Sequence, residues 1–142
     1  MVNLGRLRKA RRSASGEGGF TLLELLLVMV IIATLAAIAI PMYLRNVQAA
    51  KEAVLREDLR VMRTAINSYT VDKEKAPQSL DDLVTGGYLK AIPKDPITGR
   101  TDTWQTAASD TLASIDQTQS GIDDVHSGSQ QVGTDGSTYN TW

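Results

Sequence analysis

The chain has 142 residues, a formal net charge of −1 at pH 7 and no cysteine, which excludes disulfide bonds and thiolate metal sites. Residues 1–19 hold five of the 15 basic residues and one of the 16 acidic residues, so residues 20–142 are acidic, with 10 basic and 15 acidic side chains. This balance argues against nucleic-acid binding, which requires a basic surface.

The chain begins with a basic leader that precedes a long apolar segment. The basic residues of the leader are Arg6, Arg8, Lys9, Arg11 and Arg12. Residues 20–40 form an apolar run of 21 residues, and a helix of this length covers the roughly 30 Å of a hydrocarbon core. Because basic flanks stay on the cytoplasmic side, the sequence predicts a single membrane span with a cytoplasmic N-terminus.

Glu24 is the unusual residue of this apolar segment, because an ionisable group in a membrane is costly and needs a partner. One alternative is that Glu24 only lies in the first helical turn, where the helix dipole favours an acid. Another alternative is a conventional secretory signal cut after Ala39, which would release a product that begins at Ile40. The long leader, the length of the run and the presence of Glu24 favour a helix that is retained.

Residues 19–24 read GFTLLE, an apolar helix follows, and Pro41 ends the sequence AAIAIP. Together with the basic leader, this pattern resembles the class III signal of type IV pilins and type II secretion pseudopilins. The resemblance implies that a prepilin peptidase cuts between Gly19 and Phe20 and methylates the new amino group of Phe20. It further implies that Glu24 pairs with this ammonium in a neighbouring subunit during assembly.

The resemblance also implies a fold and a division of the chain. The fold is α+β and pilin-like, with a long N-terminal α-helix packed against a small C-terminal lobe of one short helix and short antiparallel strands. Residues 1–19 are the cleaved cytoplasmic leader, residues 20–41 are the transmembrane and filament-core helix, and residues 42–142 are the periplasmic head domain. Pro41 removes a helical hydrogen bond at the membrane exit, so we expect a kinked or loosened helix there.

After Pro41 the sequence predicts an amphipathic continuation of the helix to about Thr70. Apolar residues recur at three- and four-residue steps, as expected for one buried face. They are Tyr43, Val47, Ala50, Val54, Leu55, Leu59, Met62, Ile66 and Tyr69. The charged residues between them are predicted to be solvated or to contact neighbouring subunits. They are Arg45, Lys51, Glu52, Arg56, Glu57, Arg60 and Arg63.

A second, short helix is predicted to begin after Ser79, with Asp82 in the position of a capping box and Gly86 at its end. Residues 88–96 read YLKAIPKDP, an order that resembles the major pseudopilin of type II secretion systems. Residues 97–100 read ITGR and depart from the family pattern, which continues with an aromatic residue, a glycine and a strand.

Residues 101–142 contain six aspartates and no lysine or arginine, and few of their side chains can pack, so this lobe is predicted to be loop-rich. Major pseudopilins fix this region with calcium, and the resemblance implies a calcium loop here. The candidate ligands are Asp124, Ser127, Ser129 and Asp135, whose oxygens suit a hard cation. The alternative is an acidic, solvated loop without metal.

Catalysis is not expected, because the chain lacks the phosphate-loop, zinc-protease and nucleophile-elbow motifs. Asp124, His126 and Ser127 suggest a hydrolase triad. However, neighbouring side chains on a strand point to opposite faces, so His126 and Ser127 would be separated. His126 is instead predicted to be a surface or packing residue.

The resemblance implies a structural subunit that polymerises into a helical filament and drives proteins across the outer membrane. Its implied partners are other copies of the chain, minor pseudopilins, the prepilin peptidase, the inner-membrane assembly platform with its ATPase, and the outer-membrane secretin channel. The alternatives are a type IV pilin for adhesion or motility and a conventionally secreted calcium-binding module.

Overall fold

The computed structural model describes residues 19–108 and 120–142. The basic leader before Gly19 lies outside the described residues. Two helices, α1 (Leu22–Lys73) and α2 (Leu80–Thr85), precede two strands, β1 (Gln105–Ala108) and β2 (Ile122–His126), and a final 3-10 turn (Tyr139–Thr141). The predicted α+β, pilin-like fold is confirmed.

The chain divides into two compact units, Met1–Ile40 and Pro41–Trp142. In the described part of the first unit, α1 exposes nearly every side chain, including Leu22 at 84% and Ile38 at 68% of their full accessible areas. A window of 18 residues in α1 has a mean hydropathy of 2.8, so this helix is long and apolar enough to cross a membrane. Within residues 19–108 and 120–142, nothing covers the apolar surface of this part of the helix.

The second unit is built on the part of α1 that follows Pro41. Leu55, Leu59, Met62 and Ile66 recur at alternating steps of four and three residues, so their side chains fall on one face and are buried. Ala65 of α1 is buried as well, and the rest of the core comes from residues outside α1. They are Leu83, Leu89, Trp104, Ile122, Val125 and Tyr139. The predicted buried face of the helix is thus confirmed from Leu55 onward.

The apolar residues that were predicted to lie on this buried face before Leu55 are not part of the core. Tyr43 is 67% exposed and Val54 is 51% exposed, and Ala50 is exposed as well. The small lobe contributes few large side chains, so its core covers only a short length of the helix. The remaining apolar side chains of α1 lie on the surface of a single chain.

The helix α2 begins with the predicted capping box. The Ser79 hydroxyl accepts a hydrogen bond from the Asp82 amide at 3.3 Å, and the Asp82 carboxylate accepts one from the Ser79 amide at 3.0 Å. The helix ends at Gly86, and Gly87 has a φ of 79°, which glycine adopts without strain. This cap places Leu83 in the core.

The strands β1 and β2 form a two-stranded antiparallel sheet in which Gln105 pairs with His126 and Thr106 pairs with Val125. The register shifts between Ala107 and Ala108. Val125 points into the core, whereas the four residues of β1 are exposed. The C-terminal lobe is therefore short-stranded and loop-rich, as predicted.

Candidate functional site

The start of α1 carries the predicted processing site, and its local structure is open. Apart from its chain neighbours, no described residue has an atom within 4 Å of the place where a Cβ of Gly19 would stand, and Phe20 is 77% exposed. Thr21 caps the helix, because its hydroxyl accepts a hydrogen bond from the Glu24 amide at 3.1 Å. Glu24 itself lies exposed in the first turn.

Pro41 lies inside α1, which is assigned as one helix from Leu22 to Lys73. The boundary between the two compact units falls between Ile40 and Pro41. The division into a filament-core helix, residues 20–41, and a head domain, residues 42–142, stays a prediction.

In the second unit, the buried carboxylate of Glu52 holds the C-terminal segment against α1. It accepts hydrogen bonds from the Thr134 amide and the Tyr139 hydroxyl, each at 2.8 Å, and from the Thr134 hydroxyl. Gln48, one turn earlier, donates to the Tyr139 hydroxyl at 3.1 Å. Burial raises the pKa of Glu52, but the hydrogen bonds from Thr134 and Tyr139 lower it more, so this pKa lies below its ordinary value of 4.5.

Arg63 forms a second connection between α1 and the lobe. Its Nε donates to Asp124 Oδ1 at 2.5 Å, and its Nη2 donates to the main-chain oxygens of Val125 at 3.0 Å and Trp142 at 2.8 Å. Burial raises the pKa of Asp124, but the Arg63 guanidinium and the Val125 amide outweigh that effect and hold the pKa below its ordinary value of 3.8. Asp124 is therefore ionised at neutral pH.

Arg56 lies between these two residues on α1 and contacts the same segment. Its guanidinium carbon stands 4.3 Å from the centroid of the Trp142 ring, a cation–π distance, and its Nη2 is 3.5 Å from Asp135 Oδ2. Tyr139 and Trp142 pack edge to face, with ring centroids 5.0 Å apart. Three charged side chains of α1 thus contact the last residues of the chain.

Comparison of the sequence with known proteins identifies the family of the chain. The family described as Prokaryotic N-terminal methylation motif matches residues 15–40, which include Gly19, Phe20 and Glu24. The type II secretion system core protein G of Aeromonas hydrophila is 32% identical over 96 residues, which cover 56% of this chain and 67% of the relative. The protein of the same name from Pseudomonas aeruginosa is 34% identical over 96 residues, covering 56% and 68%. The chain belongs to this family of major pseudopilins.

A second kind of relative is also similar. The competence protein ComGC of Halalkalibacterium halodurans is 30% identical over 74 residues, which cover 52% of the pseudopilin chain and 72% of the relative. The matches to the core G proteins span about two thirds of the length of those relatives. No solved structure matches the chain.

The pseudopilin lobe uses the four predicted calcium ligands in hydrogen bonds within the protein. Asp124 binds Arg63, and Asp135 accepts from the Ser137 amide at 2.9 Å and lies near Arg56. The Ser127 hydroxyl donates to the buried Asp95 at 2.6 Å and accepts from the Ser129 amide at 3.1 Å. Ser127 and Ser129 are thus hydrogen-bonded to each other, whereas Asp124 and Asp135 bind different arginines.

The four residues do not form a cluster of calcium donors. Within residues 19–108 and 120–142, no three acidic or histidine side chains converge in a way that could hold a metal ion. A calcium ion needs six to eight oxygens, and the carboxylates that would supply most of the charge already have cationic partners. This arrangement does not fit calcium, and calcium binding stays a prediction that a melting experiment can decide.

The suspected hydrolase triad does not form. The hydroxyl of Ser127 donates to Asp95, while Nδ1 of His126 lies 2.5 Å from the main-chain oxygen of Trp142. The Nε2 atom of His126 is 3.4 Å from Asp124. His126 is thus a packing residue beside the Arg63 connection, and the hydroxyl of Ser127 is paired with Asp95 instead of with His126.

Sequence reasoning missed the two main connections, because it assigned Glu52 and Arg63 to a face that is solvated or contacts neighbouring subunits. A signal for Glu52 was present. Glu52 precedes Leu55 by three residues and Leu59 by seven, so it occupies the same register as the buried leucines. A carboxylate at a core position needs buried partners, and these were available in the polar C-terminal segment.

Proposed function

We propose that this chain is the major structural subunit of a type II secretion pseudopilus and that its role is mechanical. The observation that carries the proposal is the fully exposed apolar helix of the first unit, which begins at the motif that matches prepilins. Such a surface requires lipid before assembly and neighbouring helices after it. Membership of the core G family supports the same role.

The proposed maturation begins at the leader. Five basic residues keep residues 1–19 in the cytoplasm, the helix spans the inner membrane, and the second unit lies in the periplasm. A prepilin peptidase then cuts between Gly19 and Phe20 and methylates the Phe20 amino group. The open space around Gly19 and the exposure of Phe20 support access of an enzyme to this bond.

The proposed filament is a helical homopolymer. Each subunit uses one surface against a different surface of the next, a contact that does not close and so extends without limit. Methylated Phe20 of one subunit faces Glu24 of another. The assembly platform and its ATPase add subunits from the inner membrane, minor pseudopilins start the filament, and export passes through the outer-membrane secretin.

A type IV pilin-like filament is the second candidate, because the competence protein ComGC matches this chain over 72% of its own length. Deletion of the gene separates the two roles. Loss of an exoprotein from the medium, with its accumulation in the periplasm, supports the pseudopilus. Loss of surface filaments or of DNA uptake with normal secretion supports the pilin-like filament.

Processing can be tested with two neighbouring glycines. Gly19→Leu should stop cleavage, because the bond that follows it would no longer meet the requirement for glycine that the family motif implies. The substitution should leave the helix intact, since no atom lies within 4 Å of the new Cβ position. Gly18→Leu, one residue earlier, is the matched control and should be cleaved normally.

Intact-mass analysis of the membrane fraction gives the readout. The wild type and Gly18→Leu should both yield a chain that begins at Phe20 and carries one additional methyl group, whereas Gly19→Leu should keep its leader. An uncut wild-type chain would contradict the proposal. A soluble product that begins at Ile40 would show that the helix is a conventional signal peptide instead.

A further inference from the structure

The guanidinium of Arg63 donates to three oxygen atoms from two separate parts of the lobe. One is a carboxylate oxygen of Asp124 and one is the main-chain oxygen of Val125, both in β2, and the third is the main-chain oxygen of Trp142. Arg63 is 61 to 79 residues away from these partners along the chain. The contacts therefore fix long-range structure.

This oxygen set is of the type that binds a hard cation. Calcium sites in proteins combine carboxylate oxygens with main-chain carbonyl oxygens. Here the centre of the set is a positively charged guanidinium, which is planar and offers several N–H donors in a fixed arrangement. One side chain of α1 thus supplies the charge and the directed contacts for which a bound ion would otherwise be needed.

The predicted calcium residues are used differently. Ser127 and Ser129 belong to a network with the buried Asp95, and Asp135 lies 3.5 Å from Arg56. Asp124 is the one predicted ligand that lies in the oxygen set, and Arg63 is already its partner.

We propose that Arg63 is the resident cation of the C-terminal lobe and that it ties β2 and the C-terminal segment to α1 in place of calcium. The lobe is then stable without a metal. Its stability depends on the geometry of the guanidinium and not only on its charge, because one Nη2 atom serves two main-chain oxygens while Nε serves the carboxylate. This inference does not depend on the export role.

The experiment compares two arginines of the same helix in the full chain, purified in detergent micelles. Arg63→Met removes the cation and keeps most of the side-chain volume. Arg60→Met is the matched control, because the partner of the Arg60 side chain among the described residues is the neighbouring exposed Glu57, at 2.6 Å. Tryptophan fluorescence follows unfolding of the lobe, since Trp104 and Trp142 both lie in the second unit.

The wild type is first melted in excess chelator and in millimolar calcium, and the two curves should superimpose. Arg63→Met should lower the melting temperature by about 5–15 °C, because three hydrogen bonds to a charged group are lost. Arg60→Met should lower it by less than about 3 °C, the size expected for an exposed ion pair in a small domain.

A second variant keeps the proposal testable if Arg63→Met does not fold. Arg63→Lys keeps the charge but loses the planar, fixed arrangement of N–H donors. Its melting temperature should lie between those of the wild type and Arg63→Met. A wild-type melting temperature that rises by more than about 5 °C on adding calcium would overturn the proposal. So would an Arg63→Met shift no larger than that of Arg60→Met, or an Arg63→Lys variant as stable as the wild type.

Discussion

At the scale of single residues, Glu24 combines a local role with a proposed role between subunits. Locally, it occupies the first turn of α1, where its amide donates to the Thr21 hydroxyl and the helix dipole favours its charge. Between subunits, a carboxylate about 4 Å from an ammonium is stabilised by roughly 4 kcal/mol at an effective dielectric constant near 20. Desolvation offsets much of that energy, so the pair would select one stagger of subunits more than it would add stability.

Two substitutions separate these roles of Glu24. Glu24→Leu should leave cleavage and membrane insertion intact but prevent assembly, because the partner of the Phe20 ammonium is lost. Thr21→Ala removes the N-cap, which costs about 1 kcal/mol of helix stability, but it keeps the charge and should still assemble. Pelleting of sheared filaments and export of a secreted enzyme measure both variants. Equal defects in the two variants would show that Glu24 serves only the start of the helix.

Glu52 and Asp58 lie on the same helix and respond to their surroundings in opposite directions. The hydrogen bonds of Glu52 lower its pKa, whereas burial, followed by repulsion from Asp95 and Glu57, raises the pKa of Asp58. Ionised Glu52 therefore stabilises the fold above its ordinary pKa of 4.5, and this contribution disappears as the pH falls through its folded value. Ionised Asp58 destabilises the fold once the pH rises past its ordinary pKa of 3.8.

The two carboxylates consequently give a paired prediction. At pH 7, Glu52→Gln should lower the free energy of unfolding by about 1–3 kcal/mol, because a buried charged acceptor is lost. Asp58→Asn should raise it by up to about 1 kcal/mol, because a charge that is disfavoured by burial and then by repulsion from Asp95 and Glu57 is removed. Melting temperatures between pH 7 and pH 3 provide the check, and both differences should shrink toward the acid end. A destabilising Asp58→Asn, or a Glu52→Gln effect independent of pH, would contradict this assignment.

At the scale of elements, the sequence correctly predicted those features that depend on residues close together in the chain. The apolar run predicted the first part of α1, and the spacing of Leu55, Leu59, Met62 and Ile66 predicted the face that is buried. Ser79 and Asp82 predicted the start of α2 through a hydrogen-bond pattern that spans only three residues. Each of these features depends on neighbours in the sequence.

The contacts that hold the C-terminal lobe against α1 could not be predicted from the sequence in the same way. Glu52 binds residues that lie 82 and 87 positions later, and Arg63 binds a residue 79 positions later. A charged residue on an amphipathic helix is usually solvated, so composition favoured a solvated face. Which oxygens reach Glu52 and Arg63 depends on the path of the chain through residues 122–142, and no local motif specifies that path.

At the scale of the whole molecule, the two compact units differ in how much apolar surface they bury within the chain. The described residues of Met1–Ile40 bury almost nothing within the chain, so they depend on lipid or on other subunits. The unit Pro41–Trp142 contains the entire core that the structure describes, together with the connections of Glu52 and Arg63. The proposed polymerisation would therefore change the surroundings of the first unit while the core of the second stays closed.

This division predicts that residues 45–142 fold without the membrane helix. The fragment keeps Gln48, Glu52 and every core residue, so its tryptophan fluorescence should melt cooperatively within about 5 °C of the full chain in detergent. A fragment of residues 58–142 is the control. It lacks Glu52 and the fully buried Leu55, a loss of more than about 3 kcal/mol, and should be largely unfolded. If residues 45–142 proved unstructured while the full chain in detergent melted cooperatively, the first unit would be required for the core. Filament assembly and folding of the head domain would then be one process instead of two.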